Sequence, residues 1–327
     1  MFMIETKKLL PGDIILTAQK STLSKTIRKT TSSNFSHVMM YIGEGVYIHA
    51  DNLGVRAGTL QRLFFQQSCH AKVIRLKNRC ENTAEAACTF TRIECGKQYS
   101  VIEAIKSKQN RAKLTGEYKA RQFCSRLVAQ AYASTGVKLV FNPNYCYPQD
   151  IADSSLMIKV EDCIRTATSS DLEVRQIYDT GNKQNSTVRS ILRQVRKIAN
   201  QDIQTLGQVA EFLAENPHHD EVFTKIMNES GYLDLWLVDI DNCYWRYDVD
   251  EFIATDFSNR DMLELANEEI ISGTRLMDLY VFMFIQYSHR LIYYPLAYYL
   301  LIKNLYLKLI KITAIRINIA KLVINKI

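Results

Sequence analysis

Between Phe35 and His49 apolar and β-branched positions alternate with others on both sides of Gly43-Glu44-Gly45, so this stretch predicts two short strands joined by a Gly-rich hairpin. Further along the period changes. Leu127, Val128, Ala131 and Tyr132 recur at helical spacing, with Gly136 as a stop, which predicts a helix beginning near Cys124. In the second half the pattern is helical: a helix from Thr187 to Asn200, then Leu206 to Glu215 and Glu221 to Ser230, the last ending at Gly231. Gly181-Asn182-Lys183-Gln184-Asn185-Ser186 reads as an exposed loop. From Leu276 to Ile302 the chain is almost wholly apolar or aromatic, interrupted by Asp278 and His289-Arg290. From Lys303 onward apolar stretches alternate with Lys303, Lys308, Lys311, Arg316, Lys321 and Lys326, and no acidic residue follows Asp278.

These elements divide the chain into an α+β part over 1–160, a mostly helical extension over 161–275 with a polar linker near 179–188, and an apolar and basic tail over 276–327. With 327 residues, 47% of them hydrophobic, the chain is long enough for one large or two modest domains and is not globally disordered. A transmembrane helix needs roughly 20 apolar residues without charge. Arg290 interrupts the longest candidate, which leaves two readings of the tail: an interfacial element whose lysines meet anionic head groups, or buried helices with lysines on a solvent face. A net charge of +7, with basic residues embedded among Ile and Leu, argues against nucleic acid as a partner. The eight cysteines have no metal-ligand spacing, His218-His219-Asp220 reads as a helix start, and His70 and His289 have no ligand-like company, so no metal and no cofactor is expected. Nothing before Pro11 reads as a cleavable signal peptide. The expectation is a cytoplasmic protein with unpaired thiols, able to meet a membrane through its tail, with export as an effector left open.

Three residues carry candidate chemistry. If the hairpin loop has three residues, Met39 lies opposite His49, and the strand period puts His37 on the same face, diagonal to His49. A one-residue slip would separate the two rings. Cys124 falls in the first turn of its helix, where unpaired N–H groups and the dipole favour thiolate over thiol. Cys124, Val128 and Ala131 share the helical face expected to bury against a sheet. Taken singly, a cysteine on an apolar helical face is most often a small buried hydrophobe.

The order of these pieces resembles a known family. Pro11-Gly12-Asp13-Ile14-Ile15-Leu16, the stretch from Ser21 to Ser36, Ser36-His37-Val38, Gly54-Val55, Gly96-Lys97-Gln98-Tyr99, Phe123-Cys124-Ser125 and Pro148-Gln149-Asp150-Ile151 follow one another as in the circularly permuted papain-like hydrolases of the YiiX type, which are related to the NlpC peptidases. Lecithin-retinol acyltransferase is a more distant relative. The similarity covers residues 11 to about 155. It implies a permuted papain-like (NlpC-type) domain, with an antiparallel sheet and a nucleophile-bearing helix, followed by a mainly helical C-terminal region. It also implies Cys124 as nucleophile, His37 as general base and His49 as the group that fixes the ring of His37. The backbone N–H of Cys124 or Ser125 would serve an oxyanion hole or position substrate. Two departures stand out. His49 replaces the carboxylate of many YiiX-like members, as in the acyltransferase branch, and Arg126 stands where Glu often follows Cys-Ser, with a charge that would favour the thiolate or an anionic substrate and a solvated surface arginine as the default.

The resulting expectation is a cysteine hydrolase or acyltransferase that passes through a thioester on an amide, ester or thioester bond, with a peptide or acyl-lipid substrate. The alternatives are a peptide amidase of the NlpC type and a catalytically idle papain-like binding module; the intact set Cys124, His37 and His49 argues against the last.

Overall fold

The computed structural model describes residues 1–18, 34–100, 104, 121–174, 180–255 and 257–327. Up to residue 33, the helix and loop expected between Ser21 and Ser36 lie outside the described residues. The chain divides into two compact units, residues 1–185 and 186–327.

The first unit is built on a six-stranded sheet. Its members are β2 (Ile14–Thr17), β3 (His37–Gly43), β4 (Val46–Asp51), β5 (Gly54–Thr59), β6 (Ala71–Leu76) and β7 (Met157–Lys159), after a short β1 (Phe2–Ile4) that pairs with β8 (Ile164–Thr166). The spatial order is β5-β4-β3-β2-β6-β7, antiparallel throughout. Both faces of the central strands are buried, which is why β2 reads as an uninterrupted apolar run and not as an alternation. Ile14, Leu16, Val38 and Met40 pack against Ala87 and Cys88 of helix α1 (Glu81–Ile93) and against Cys124, Val128, Ala131 and Tyr132 of helix α2 (Cys124–Ala133). Ile15, Met39, Tyr41 and Val73 pack on the other face with Ile4, Leu60, Leu63 and Phe65.

The entry to β2 depends on Gly12, whose φ of 91° favours glycine and where a Cβ would come within 2.8 Å of the Ala84 Cβ. The Tyr132 hydroxyl donates to the Gly12 carbonyl, tying α2 to this strand. Next to it, fully buried Asp13 accepts two 2.7 Å hydrogen bonds from Arg75 on β6, so its charge is compensated in place. Downstream, helix α3 (Pro148–Ala152) starts with Pro148 in its first turn and with Asp150 accepting from the Tyr147 N–H at 2.8 Å. Its Gln149 side chain accepts from the Asn34 N–H at 2.9 Å, beside the strand that carries His37. Helix α4 (Ser169–Val174) follows β8.

Helix α5 (Thr180–Ala199) begins earlier than the sequence suggests: the polar run from Gly181 to Ser186, within the expected linker, is helical and not a loop. Val188, Ile191, Leu192 and Val195 form one apolar stripe of that helix, and the buried stripe sustains a helix whose first turns are polar.

Residues 186–327 form a helical unit. It comprises α6 (Leu206–Glu215), α7 (Asp220–Glu229), α8 (Leu235–Asn242), α9 (Val249–Ile253) and a pair of long helices, α10 (Asn259–Tyr293) and α11 (Ala297–Lys326). Gly231, with φ 75°, ends α7 as its position in the sequence predicts. Asp220 does more than start a helix: its carboxylate accepts from the N–H groups of Ala297 at 2.7 Å and Tyr298 at 2.9 Å, capping α11. Where α10 and α11 meet, a Cβ on Gly273 would approach Ile317 to 2.7 Å. Buried Arg316 there pairs with Glu269 and donates to the Ser272 hydroxyl at 2.6 Å. One side of α11 buries Tyr298, Tyr299, Ile302, Leu305, Ala320 and Val323. The opposite side exposes Leu300, Leu307, Ile315 and Leu322, seven or eight residues apart, with Lys308, Lys311 and Lys321 exposed between them. Among the described residues no helix is long and apolar enough to cross a membrane.

Candidate active site

His37 and His49 sit on the β3–β4 hairpin, and its turn sets their relation. The turn itself has two residues, Glu44 and Gly45, with φ of 54° and 70°, whereas a three-residue loop was the condition for pairing Met39 with His49. The expected register nevertheless results. Gly43 pairs with Val46, but Tyr41 pairs with Tyr47 and Met40 with Ile48, so Ile42 is an extra, bulged residue on β3. One step further this register sets Met39 opposite His49. Without the bulge His49 would fall on the other face from His37.

The two imidazoles meet: His37 Nε2 lies 2.7 Å from His49 Nδ1, the rings crossing edge to face at 5.0 Å between centroids. Tyr47 packs edge-on against His49 at 5.3 Å. On the adjoining strand Arg56 is directly opposite His49. Asp51, two residues after His49 and so on the same face, accepts from Arg56 Nη2 at 2.6 Å and from Arg56 Nε at 3.1 Å. Its Oδ2 is 3.9 Å from His49 Nε2. Asp51 and Arg56 escaped the sequence reading, although the period-two spacing from His49 to Asp51 is a usable signal.

Burial governs the charge of this group. It pulls His37 down to about 4, with the Asp51 carboxylate pulling the other way, and pulls His49 down to about 3, so both rings are neutral at neutral pH. For Asp51 burial acts upward, but the hydrogen bonds and charge of Arg56, with the Leu53 N–H, outweigh it and hold the carboxyl below its usual value.

Cys124 is the first residue of α2, as its spacing predicts, with Phe123 extended before it. The helix packs on the face of Val38 and Met40, whereas the histidines belong to the face of Met39 and Tyr41. The sulfur therefore meets β3 at the strand's first residues, where the Val38 N–H, next to His37, donates toward it together with the N–H groups of Cys124 and Ser125. These donors favour the thiolate, but burial outweighs them and pushes the thiol up to about 11. The expectation that the helix start would yield a resting thiolate is thus corrected: desolvation wins over dipole and N–H groups.

The neighbours of Cys124 are fixed. The Ser125 hydroxyl donates to the Cys146 carbonyl at 2.6 Å, so only the main chain of Ser125 faces the thiol. Arg126 is not a solvated surface residue but fully buried: it donates to the carbonyls of Asn144 at 2.8 Å and Arg121 at 3.0 Å, and stacks over Phe123 and Tyr145. Gln122 bonds Glu94 at 2.6 Å and Gln130 at 2.8 Å, while its main chain pairs with Gln98 and Ser100. Gly54 and Gly96 also belong to this frame: Val55 N–H donates to the Lys97 carbonyl at 2.8 Å and Gly96 N–H to the Val55 carbonyl at 2.9 Å. Among the described residues no group of three or more His, Cys, Asp or Glu side chains could hold a metal ion.

A thiol that opens a helix, follows its histidines in the chain and packs on an antiparallel sheet defines the permuted papain-like class of enzymes. Residues 8–172 match the family described as permuted papain-like amidase enzyme, YaeF/YiiX, C92 family, and the chain belongs to that family. Membership makes it a papain-like hydrolase. No curated protein is a significant match. Among solved structures the chain is similar to the metalloprotein yiiX from Escherichia coli O157:H7, with 18% identity over 47% of this chain and 97% of that one, and a TM-score of 0.32.

Proposed function

We propose that the first unit cleaves an acyl bond through a thioester on Cys124, with His37 as the base and His49 as the group that holds the ring of His37. The carrying observation is a thiol in the first turn of α2 with the backbone N–H of Val38, the residue after His37 in the chain, directed toward it, together with a His37 ring hydrogen-bonded at 2.7 Å to His49. With neutral partners at rest, the S–H proton moves to His37 as sulfur attacks the carbonyl carbon. The backbone N–H of Cys124 or Ser125, at the positive end of α2, would serve the oxyanion. Collapse of the tetrahedral species breaks the bond to the leaving group, which takes the proton from His37. Water or another acceptor then cleaves the thioester.

The family's description as an amidase favours an amide as the scissile bond, in a peptide or an N-acyl substrate. Esters and thioesters of acyl lipids are the second reading, favoured by the exposed apolar stripe of α11 with Lys308, Lys311 and Lys321, a composition suited to an anionic membrane surface. Incubating the protein with separate pools of peptides and acyl lipids, then measuring its intact mass, tests the reading. An acyl adduct that Cys124→Ala abolishes supports it, and the pool that yields the adduct names the substrate class. Equal hydrolysis by Cys124→Ala overturns it.

A further inference from the structure

The contact between the two imidazoles leaves one proton to be assigned, and the assignment decides whether His37 can act as a base. Each ring is neutral, so each carries a single N–H. At 2.7 Å, one of His37 Nε2 and His49 Nδ1 donates and the other accepts. If His49 Nδ1 carries the proton, the proton of His37 must sit on Nδ1, and no basic nitrogen is left for the thiol. If His37 Nε2 carries it, His37 Nδ1 is bare, and the proton of His49 must sit on Nε2.

His49 Nε2 is buried and has no hydrogen-bond partner among the described residues. What faces it is Asp51 Oδ2 at 3.9 Å. A carboxylate accepts and never donates, so an N–H directed at it is attracted, and a lone pair directed at it is repelled. Arg56 and the Leu53 N–H, the latter at 2.9 Å, hold Asp51 in place and charged. Arg56 is itself fixed opposite His49 by strand pairing.

We propose that Asp51 is a positioning residue that selects the tautomers of both rings. It draws the His49 proton to Nε2, which obliges His49 Nδ1 to accept from His37 Nε2–H and leaves His37 Nδ1 bare for the Cys124 proton. After that transfer His37 is an imidazolium, and the Asp51 carboxylate supplies, through His49, the negative charge that a neutral third member lacks. The catalytic part of this inference rests on the acyl-transfer reading above; the tautomer assignment does not.

The test is a two-bond proton–nitrogen correlation spectrum of the 15N-labelled full-length protein at neutral pH, which reads the protonated nitrogen of each ring directly. The expected result is protonation of both His37 and His49 at Nε2. Protonation of His37 at Nδ1 would overturn the proposal. Asp51→Asn, which keeps the shape beside Arg56, should mix the tautomers and lower kcat by about 10- to 100-fold with little change in KM, less than the ~10⁴-fold loss when such a carboxylate bonds the base directly. Asp51→Glu should restore part of kcat. Unchanged spectra and kcat in Asp51→Asn would also overturn it. Should Cys124→Ala remain active while the native tautomers are as stated, the acyl-transfer reading fails and the tautomer assignment stands.

Discussion

His37 and His49 are hydrogen-bonded at 2.7 Å because one extra residue, Ile42, interrupts the pairing of their two strands. A two-residue turn alone would have left the rings on opposite faces. The bulge restores the common face, and with it a line from Arg56 through Asp51 and His49 to the strand end where Cys124 lies.

Replacing Cys124 with Ala should abolish turnover and covalent labelling by a thiol-directed activity probe, with the circular dichroism spectrum retained. His37→Ala should lower the rate by about 10² to 10⁴, the usual contribution of a general base. His49→Ala should cost less than His37→Ala, since it orients and does not accept the proton. A rate unchanged by His49→Ala, measured on the same substrate, would remove it from the site.

The pH behaviour follows from burial. His37, at about 4 in the fold against an ordinary 6.5, must be neutral to act, so activity should persist well below pH 6 and fall with a midpoint near pH 4. The unfolded chain takes up that proton first, so the contribution of His37 to stability is complete above about pH 6.5 and is lost as pH falls toward 4. Cys124 works in the opposite sense: its neutral form is favoured by the fold, and its stabilising contribution is lost as pH rises from 9 toward 11. Alkylation of Cys124 by iodoacetamide in the absence of substrate should therefore be slow at neutral pH and rise toward pH 11. An alkylation midpoint below pH 7 would mean a resting thiolate and imidazolium instead.

Gly54→Ala should destabilise the first unit by about 1–3 kcal/mol, the range for a residue forced into a disfavoured backbone conformation. Gly54 has φ 102°, and a Cβ there would lie 2.6 Å from the Lys97 carbonyl, which the Val55 N–H uses. Because that contact docks the segment leading to Tyr99 and Gln122, kcat should fall as well. Chemical denaturation and steady-state kinetics on the same preparation measure both.

Charge reversal of Lys308 and Lys311 to Glu should lower co-sedimentation with vesicles containing anionic lipid and leave hydrolysis of a soluble substrate unchanged. Both side chains are exposed on α11. Equal pelleting of the variant and native protein would remove the membrane reading.

Much of this arrangement is legible in the chain because it depends on local periodicity. The alternation around His37 and His49, the helical spacing after Cys124 and the order of the motifs are properties of neighbours in sequence, and the sheet and α2 appear where those patterns put them. The C-terminal helices from Leu206 to Glu229 are legible for the same reason.

Sequence by itself determined the fold class and the family, and it singled out Cys124, His37 and His49 as the candidate site. Tertiary structure alone decided what depends on contacts across the fold. A bulge set the common face, burial overrode the helix dipole at Cys124, carbonyls from distant loops buried Arg126, and strand pairing put Arg56 opposite His49 and beside Asp51. Periodicity assigns a residue to a face, whereas desolvation and charge depend on every atom packed around it, most of them far away in the chain.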